Sequence, residues 1–447
     1  MMEIARLSEI LRESGIVGAG GAGFPTYGKL SDKADTILMN CAECEPLLKL
    51  HRQLLGTHAR EIMQAFALIG ETVGAKEMII GIKKEYKGTI AALHQYIDEF
   101  PGMRIHELPG AYPMGDEVVL IYEATGRVVR PGGLPIECGV AVFNVETLWN
   151  VYRAVWEQRP VTEKYVTVVG EVEHPVTVRV PVGISIGEVT AMAGQVTVDD
   201  PVYLLGGPMM GNFGQPDQPV TKTTNAIIVL SGNHPLVLKK QSRFSIDVAR
   251  AASICCQCQT CTDLCPRYNL GHPIRPHLFM RAAANRDFRD LEPFLDTMFC
   301  CSCGLCELYS CPQGLAPRSM ITEYKNGLRK AGVRAPERSA APVQPSRAYR
   351  RVPEERLENR LGLAKYNVPA PLDDVARPAK TVKILLSQHI GAPAVAAVSV
   401  GDTVSEGDVV AKAAQGLSVN IHASVPGRVL EVSDRYLIIG PQEAARG

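Results

Sequence analysis

The chain has 447 residues, 47 lysine and arginine against 47 aspartate and glutamate, and therefore a formal net charge of zero. Apolar residues make up 46% and charged residues 21%, which is ordinary for a globular protein. This balance argues against a nucleic-acid or anionic-membrane binder, and no apolar run approaches the roughly 18 residues of a membrane-spanning helix.

The length predicts two to four domains. Residues 1–15 read as an N-terminal amphipathic helix: Ile4, Leu7, Ile10 and Leu11 share a face and Gly15 stops it. A glycine-rich loop runs from Gly15 to Gly23. Helical and strand-like stretches then alternate (Thr36–Met39, Arg60–Leu68, Glu77–Ile82, Ile90–Phe100, Val118–Ala124, Glu146–Trp156), predicting an α/β domain over 16–160. Residues 161–240 carry short strands, Tyr165–Val169, Val176–Val180 and Ala226–Leu230, between Gly/Pro turns, and read as a β-grasp-like module. Cysteine motifs among short helices fill 245–330. Residues 331–380, rich in Pro, Ala and Arg, read as a linker with one candidate helix at Glu354–Leu363. Short β runs with glycine turns predict a compact all-β domain over 381–447. The predicted fold class is multidomain α/β.

The 13 cysteines are uneven: ten lie between Cys255 and Cys311. The N-terminus lacks the basic and apolar regions of a secretory signal, so a cytoplasmic location is predicted, where clustered cysteines bind metal or do redox work. The first motif, Cys255-x2-Cys258-x2-Cys261-x3-Cys265-Pro266, is the run of bacterial two-cluster ferredoxins. The second, Cys300-x2-Cys303-x2-Cys306, ends in Cys311-Pro312 after four residues rather than three. Two [4Fe–4S] clusters are expected: one on Cys255, Cys258, Cys261 and Cys311, the other on Cys300, Cys303, Cys306 and Cys265. Cys256 and Cys301 are expected non-ligands, though either is a candidate substitute. Zinc is the alternative; it usually shows two well-separated CxxC knuckles rather than tight triplets.

Gly18, Gly20 and Gly23 formally satisfy G-x-G-x-x-G, but a helix rather than a strand precedes them, which rejects a Rossmann fingerprint. The run Gly20-Gly21-Ala22-Gly23-Phe24-Pro25-Thr26 with Lys29 resembles the FMN- and NADH-binding loop of the complex I flavoprotein subunit. Three further segments agree in order: Asn40-Cys41-Ala42-Glu43-Cys44-Glu45-Pro46, Gly110–Glu117 (GAYPMGDE), and Asn144-Val145-Glu146-Thr147-Leu148. Gly132–Pro135 and Gly206–Gly211 (GGPMMG) resemble RnfC, the cluster-bearing subunit of the Rnf complex, where an SLBB module follows the flavin domain. The resemblance implies that Gly18, Gly20, Gly21, Gly23, Lys29, Asn40, Tyr112, Gly115 and Asn144 bind FMN, that Phe24 stacks, and that Glu43, Glu45 and Glu117 line the NADH side as catalytic groups. Cys41 and Cys44 are expected to be packing residues.

Residues 400–429 resemble a biotinyl/lipoyl-type barrel-sandwich domain. Gly416 stands where the modified lysine would be, so neither biotin nor lipoate is expected and a docking or structural role is. In RnfC the equivalent segment precedes the flavin domain. Its position here, after the clusters, resembles the PduS cobalamin reductases of propanediol-utilisation microcompartments. That resemblance implies cobalamin as acceptor, an adenosyltransferase and microcompartment shell proteins as partners, and a microcompartment location. The N-terminal helix is then either an encapsulation tag or an ordinary capping helix; a homo-oligomer is left open. Two rivals stand: an Rnf-type NADH:ferredoxin subunit, and a docking protein with structural clusters.

Overall fold

The computed structural model describes residues 2–441. The first unit comprises α1 (Ile4–Glu13), β1 (Thr36–Cys41), α2 (Leu50–Thr57), α3 (Ala59–Val73), β2 (Glu77–Lys83), α4 (Lys87–His94), β3 (Met103–Leu108), β4 (Ala111–Tyr112), α5 (Glu117–Thr125), β5 (Val140–Asn144) and α6 (Val145–Trp156). Strands β3-β2-β1-β5 form a four-stranded parallel sheet. Its inner strands are near-continuous apolar runs because both faces are covered. Helices α1, α3 and α6 pack on one face, through Leu7, Leu11, Phe66 and Leu148; α5 covers the other, through Val119 and Leu120. The chain builds outward from β1 to β2 and β3, then returns to place β5 on the other side of β1. The sheet therefore reverses its winding between β1 and β5, the place where open α/β sheets leave a crevice at their carboxyl ends.

Leu7 and Leu11 are fully buried, with Ile4 and Ile10 packed beside them. The apolar face of α1 is thus packed on the core, as a capping helix would be. The sequence reading also passed over α2, β3 and β5.

The second unit contains β6 (Glu163–Gly170), β7 (Val176–Pro181), α7 (Ile186–Ala191), β8 (Pro201–Leu205), β9 (Asn212–Gly214) and β10 (Ala226–Ser231). Next come the helices α8 (Pro235–Lys240), α9 (Phe244–Ile254), α10 (Thr260–Asp263), α11 (Pro266–Asn269), α12 (Pro276–Ala284), α13 (Glu292–Leu295), α14 (Leu305–Leu308) and α15 (Pro317–Lys330). They surround a small core of Phe279, Phe294 and Met320.

Residues 331–380, expected as a linker, instead strap the body. The Ala341 N–H donates to the Gly271 carbonyl at 2.8 Å, and that of Gln344 to Asn269 at 3.0 Å. Within the strap, β11 (Val352–Pro353) pairs with β4, α16 (Glu354–Leu361) buries Leu357, and β12 (Leu372–Ala376) joins the edge of the sheet β12-β7-β6-β10-β8-β9. Extended backbone holds most of these contacts, so no side-chain periodicity announces them.

The C-terminal unit is a sandwich of β13 (Val382–Leu385), β14 (Val395–Ala396), β15 (Thr403–Val404), β16 (Val409–Lys412), β17 (Ile421–His422), β18 (Gly427–Val432) and β19 (Tyr436–Gly440). Sheets β13-β19-β18-β15 and β14-β16-β17 enclose Ile384, Val410 and Leu437.

Lys222 joins three of these parts. Only 2% exposed, it donates from Nζ to the Gly15 carbonyl at 2.6 Å and to the Asn420 carbonyl at 3.3 Å. Burial lowers its pKa to about 7, and burial also holds the neighbouring His389 and His422 below the ordinary histidine value. In the unfolded chain the lysine keeps its proton up to about pH 10.5; in the fold it releases it near 7. Between those values the unfolded state binds more protons, so stability rises with pH, by at most about 1.4 kcal/mol per unit. The melting temperature of the native chain relative to Lys222→Met should therefore climb from pH 7 to pH 9; a flat difference would contradict the assignment.

Candidate functional site

The carboxyl edge of the sheet gathers most of the residues that the motifs single out. Asn40 and Asn144 are register partners at the ends of β1 and β5, at the winding reversal. Asn144 is the N-cap of α6: its Oδ1 accepts from the N–H groups of Glu146 at 2.9 Å and Thr147 at 3.4 Å. Asn40 donates from Nδ2 to the Gly115 carbonyl at 2.9 Å and accepts from the Ala42 N–H at 3.1 Å. The glycine loop lies over this edge, its start fixed by the Ala19 N–H donating to Thr147 Oγ1 at 3.0 Å. Gly20, Gly21 and Ala22 are exposed, and a Cβ on Gly21 would meet open space. A Cβ on Gly20 would strike the Asn144 amide, so glycine is required there for the close approach. Lys29 donates from Nζ to the Val142 carbonyl at 2.8 Å and stands 3.5 Å from Glu117, which opens α5.

These features fit a flavin phosphate: exposed loop amides, one lysine, and a helix N-terminus. Thus Gly20, Gly21, Lys29, Asn40, Gly115, Glu117 and Asn144 converge. Gly18 closes the loop by donating to the Phe24 carbonyl at 2.9 Å, and Gly23, at φ 72°, abuts Gln388 and His389 of the C-terminal unit. The Phe24 ring lies over Gly28.

The other carboxylates are engaged elsewhere. Glu43, 6% exposed, caps α2 by accepting from the His51 N–H at 2.7 Å and the Arg52 N–H at 3.4 Å, while burial raises its pKa. Glu45 accepts from the N–H groups of Met209 at 2.8 Å and Met210 at 2.9 Å. It presses on Gly207, where a side chain would collide with it, so the GGPMMG motif is a seat for this carboxylate. Burial pushes Glu45 upward and its neighbour Lys240 downward. Tyr112 donates its hydroxyl to the Cys303 carbonyl at 2.6 Å, facing the cysteine region.

Sequence reasoning missed His51. Asn144 spends its Oδ1 on two backbone donors, so its Nδ2, 3.1 Å from His51 Nε2, is the donor of that pair. The proton therefore sits on Nδ1, which faces Glu43 Oε1 at 3.8 Å. Burial lowers the imidazole pKa to about 4, keeping it neutral. Glu43 and His51 thus orient the Asn144 amide from behind. A lone histidine between Lys49 and Arg52 carries no sequence signal of this.

Cys255, Cys256, Cys258, Cys261 and Cys311 line one cavity with Met280 and Pro312. Cys265 lies by Cys300 and Cys301, and Cys303 and Cys306 stand close to Cys265. Among the described residues no three His, Cys, Asp or Glu side chains converge tightly enough for a single ion. Both loops alternate left-handed residues at matching places, Gln257 (φ 55°) and Gln259 (63°) against Ser302 (57°) and Gly304 (83°). That alternation turns backbone N–H groups inward, and the Ser302 and Leu315 amides donate to Cys300 Sγ and Cys311 Sγ, each at 3.3 Å. The extra residue before Cys311 is absorbed where Ser310 donates five residues back to the Leu305 carbonyl at 2.8 Å. These donor sets fit two iron–sulfur clusters.

Residues 11–153 match the Nuo51 FMN-binding domain family, 254–316 the 4Fe-4S dicluster domain, and 369–445 the RnfC barrel sandwich hybrid domain. Cobalamin reductase PduS of Salmonella typhimurium is 41% identical over 97% of this chain and 96% of its own length. The Citrobacter freundii PduS is 40% identical over the same shares. The chain belongs to the PduS cobalamin reductase family. One component of the ion-translocating oxidoreductase complex of Edwardsiella ictaluri is 32% identical over 58% of this chain but only 32% of that protein. This PduS family member thus joins a flavin-binding α/β domain, a dicluster domain and a barrel sandwich; among its described residues no helix is long and apolar enough to cross a membrane.

Gly20→Ala should displace the Asn144 amide and weaken flavin retention roughly tenfold, a loss of about 1.4 kcal/mol, read as the flavin-to-protein ratio after gel filtration. Unchanged retention would separate the loop from the flavin. Cys258→Ser and Cys306→Ser should each lower bound iron by about one cluster, whereas Cys256→Ser and Cys301→Ser should not; iron loss in either of the latter would make that residue a ligand.

Proposed function

We propose that the chain takes hydride from NADH at the sheet edge and passes single electrons to cobalamin, reducing cob(III)alamin to cob(II)alamin and cob(I)alamin for coenzyme B12 regeneration. One observation carries this reading. The GAYPMGDE segment touches both the flavin edge and the second thiol set: Gly115 accepts from Asn40, Tyr112 donates to Cys303, and Asp116 pairs with Arg267 at 2.8 Å, beside Cys301. When bound, the flavin turns a two-electron donor into one-electron steps and the clusters relay those electrons.

The chain's own residues do the rest. Lys29 and the loop amides neutralise the phosphate, Asn40 and Asn144 orient the ring, and Glu117, held by Lys29, is the accessible carboxylate on the nicotinamide side. Glu43 and Glu45 act as positioning groups. Cys255, Cys258, Cys261 and Cys311 hold one cluster, and Cys265, Cys300, Cys303 and Cys306 the other. The domain limits are 16–160, 161–240, 245–330 and 381–447. We also propose a place inside a propanediol-utilisation microcompartment, with an adenosyltransferase taking the Co(I) product; the PduS naming of the relatives supports both.

The test is anaerobic reconstitution with iron, sulfide and FMN, then NADH and cob(III)alamin, followed by visible spectroscopy. Reduced cobalamin should appear, and Lys29→Ala should slow it tenfold or more, since a charge-assisted bond contributes roughly 1.5–3 kcal/mol. Bleached clusters with unchanged cobalamin would move the acceptor to a ferredoxin, as in an Rnf-type subunit. No bleaching at all would leave a docking protein with structural clusters.

A further inference from the structure

The first thiol set reaches the surface: Cys256 and Cys258 are exposed. Its cavity is also lined by His277, on which the charges of Arg275 and Arg281 act. On the other side α9 ends at Cys255. Its outward face carries Ile246, Arg250 and Ile254, spaced four residues apart, along a shallow groove; the two isoleucines are 51% and 43% exposed. Arg250, Arg275 and Arg281 are exposed and make no ion pair among the described residues. The acidic groups nearby are already engaged. Asp247 is buried and accepts from Ser242 at 2.8 Å, Asp263 pairs with Arg350 at 3.3 Å, and Asp287 pairs with Arg289 at 2.7 Å. A chain with zero net charge therefore presents three exposed arginines outside any ion pair near the thiol set closest to solvent, with only the charges of Asp287 near Arg281 and Asp296 near Arg275 offsetting them in part.

We infer that this face, the outward side of α9 with Arg250, Arg275 and Arg281 around Cys256 and Cys258, is the docking surface for an acidic electron-carrier protein. The inference rests on the electron-transfer reading above. The groove is open and runs the length of α9, about 16 Å at 1.5 Å per residue, which suits a protein surface more than a small molecule. Isolated apolar side chains inside a charged rim are the anatomy of a transient interface, and the rim charges steer encounter. No bond forms or breaks at the surface. One electron leaves the reduced chain, and the docked carrier's redox group is reduced by one.

The probe is an acidic flavodoxin, with a basic cytochrome c as its mirror, each immobilised and exposed to the reconstituted full-length chain in interferometry. Flavodoxin binding should weaken about tenfold or more between low and physiological salt, and by a similar factor in Arg250→Glu/Arg281→Glu. Cytochrome c should bind the double variant better than the native chain. Both arginines are exposed and outside the flavin edge, so NADH-dependent bleaching of the clusters should be the same in native and variant chains. Electron transfer from chain pre-reduced with dithionite to flavodoxin should fall with the binding. The proposal is overturned if flavodoxin does not bind, if charge reversal leaves binding unchanged, or if cytochrome c binds the native chain equally well. It is overturned too if sedimentation shows that the reversal dissolves a dimer, since a second copy then covers the face. Failure of NADH to bleach the clusters would count against the electron-transfer reading while the binding result stood by itself.

Discussion

The flavin edge depends on a flexible loop being held still, and the most deeply anchored of its clamps starts from the buried bond between Lys222 and the Gly15 carbonyl. A loop as glycine-rich as 18–23 has a large conformational entropy to lose, so its ends must be fixed by something other than its own side chains. Lys222 fixes the segment leading into the loop, reaching Gly15 and Asn420 together. Thr147, one turn into α6, fixes Ala19, and the Ile390 N–H donates to the Gly23 carbonyl at 3.1 Å to fix the far end. Three units of the fold thus contribute one clamp each. With no carboxylate for Lys222, burial drives the amine toward its neutral form, and its two carbonyl partners compensate only in part.

The same logic separates the three motif carboxylates. A carboxylate that must meet a substrate has to keep an open oxygen; one that holds backbone must be saturated with N–H donors. Glu43 and Glu45 each accept two backbone bonds and are enclosed, whereas Glu117 faces Lys29 with 41% of its side chain exposed. Glu43 supports α2, and with it the neutral His51 that orients Asn144. Glu45 holds the 206–211 loop, whose Met209 packs against Gly304 beside Cys303. One short segment, Asn40–Pro46, therefore sets both the flavin edge and the path toward the second thiol set.

How much of this was legible follows from how rare each signal is. Cysteine triplets with proline after the last thiol admit few readings, and the division of thiols could be stated from spacing. Strands such as β1 and β2 announce themselves as apolar runs. Glutamates do not, because a cap, a loop seat and a catalytic acid look alike in sequence. The partners of Glu43 lie eight and nine residues on, and those of Glu45 about 164 residues away. Helix α2 was hidden because Pro46–Leu55 mixes five leucines with Lys49, His51, Arg52 and Gln53 and its N-cap residue makes no side-chain cap. The 331–380 strap was hidden because its contacts are backbone pairings, as between Val352 and Tyr112.

The position of the barrel sandwich has a physical account in the same contacts. Its hairpin at Gly416, where a lipoyl-type domain would carry its lysine, is tethered through its backbone while its tip stays exposed: Tyr27 donates its hydroxyl to the Gly416 carbonyl at 3.2 Å, and Arg12 donates to the Ala414 carbonyl at 3.0 Å. The unit lies directly beside α1, near the first residues of the chain. Where two ends of a fold are neighbours, a unit can be attached at either end and keep its contacts, because only the connection changes. An N-terminal barrel, as the RnfC resemblance describes, and the C-terminal barrel found here can then make the same clamp on the glycine loop. A side chain at position 416 would meet open space, so the docked hairpin does not itself exclude a lysine there. What favours glycine is the turn: Gly416 holds φ 86°, a left-handed conformation that lysine adopts only under strain.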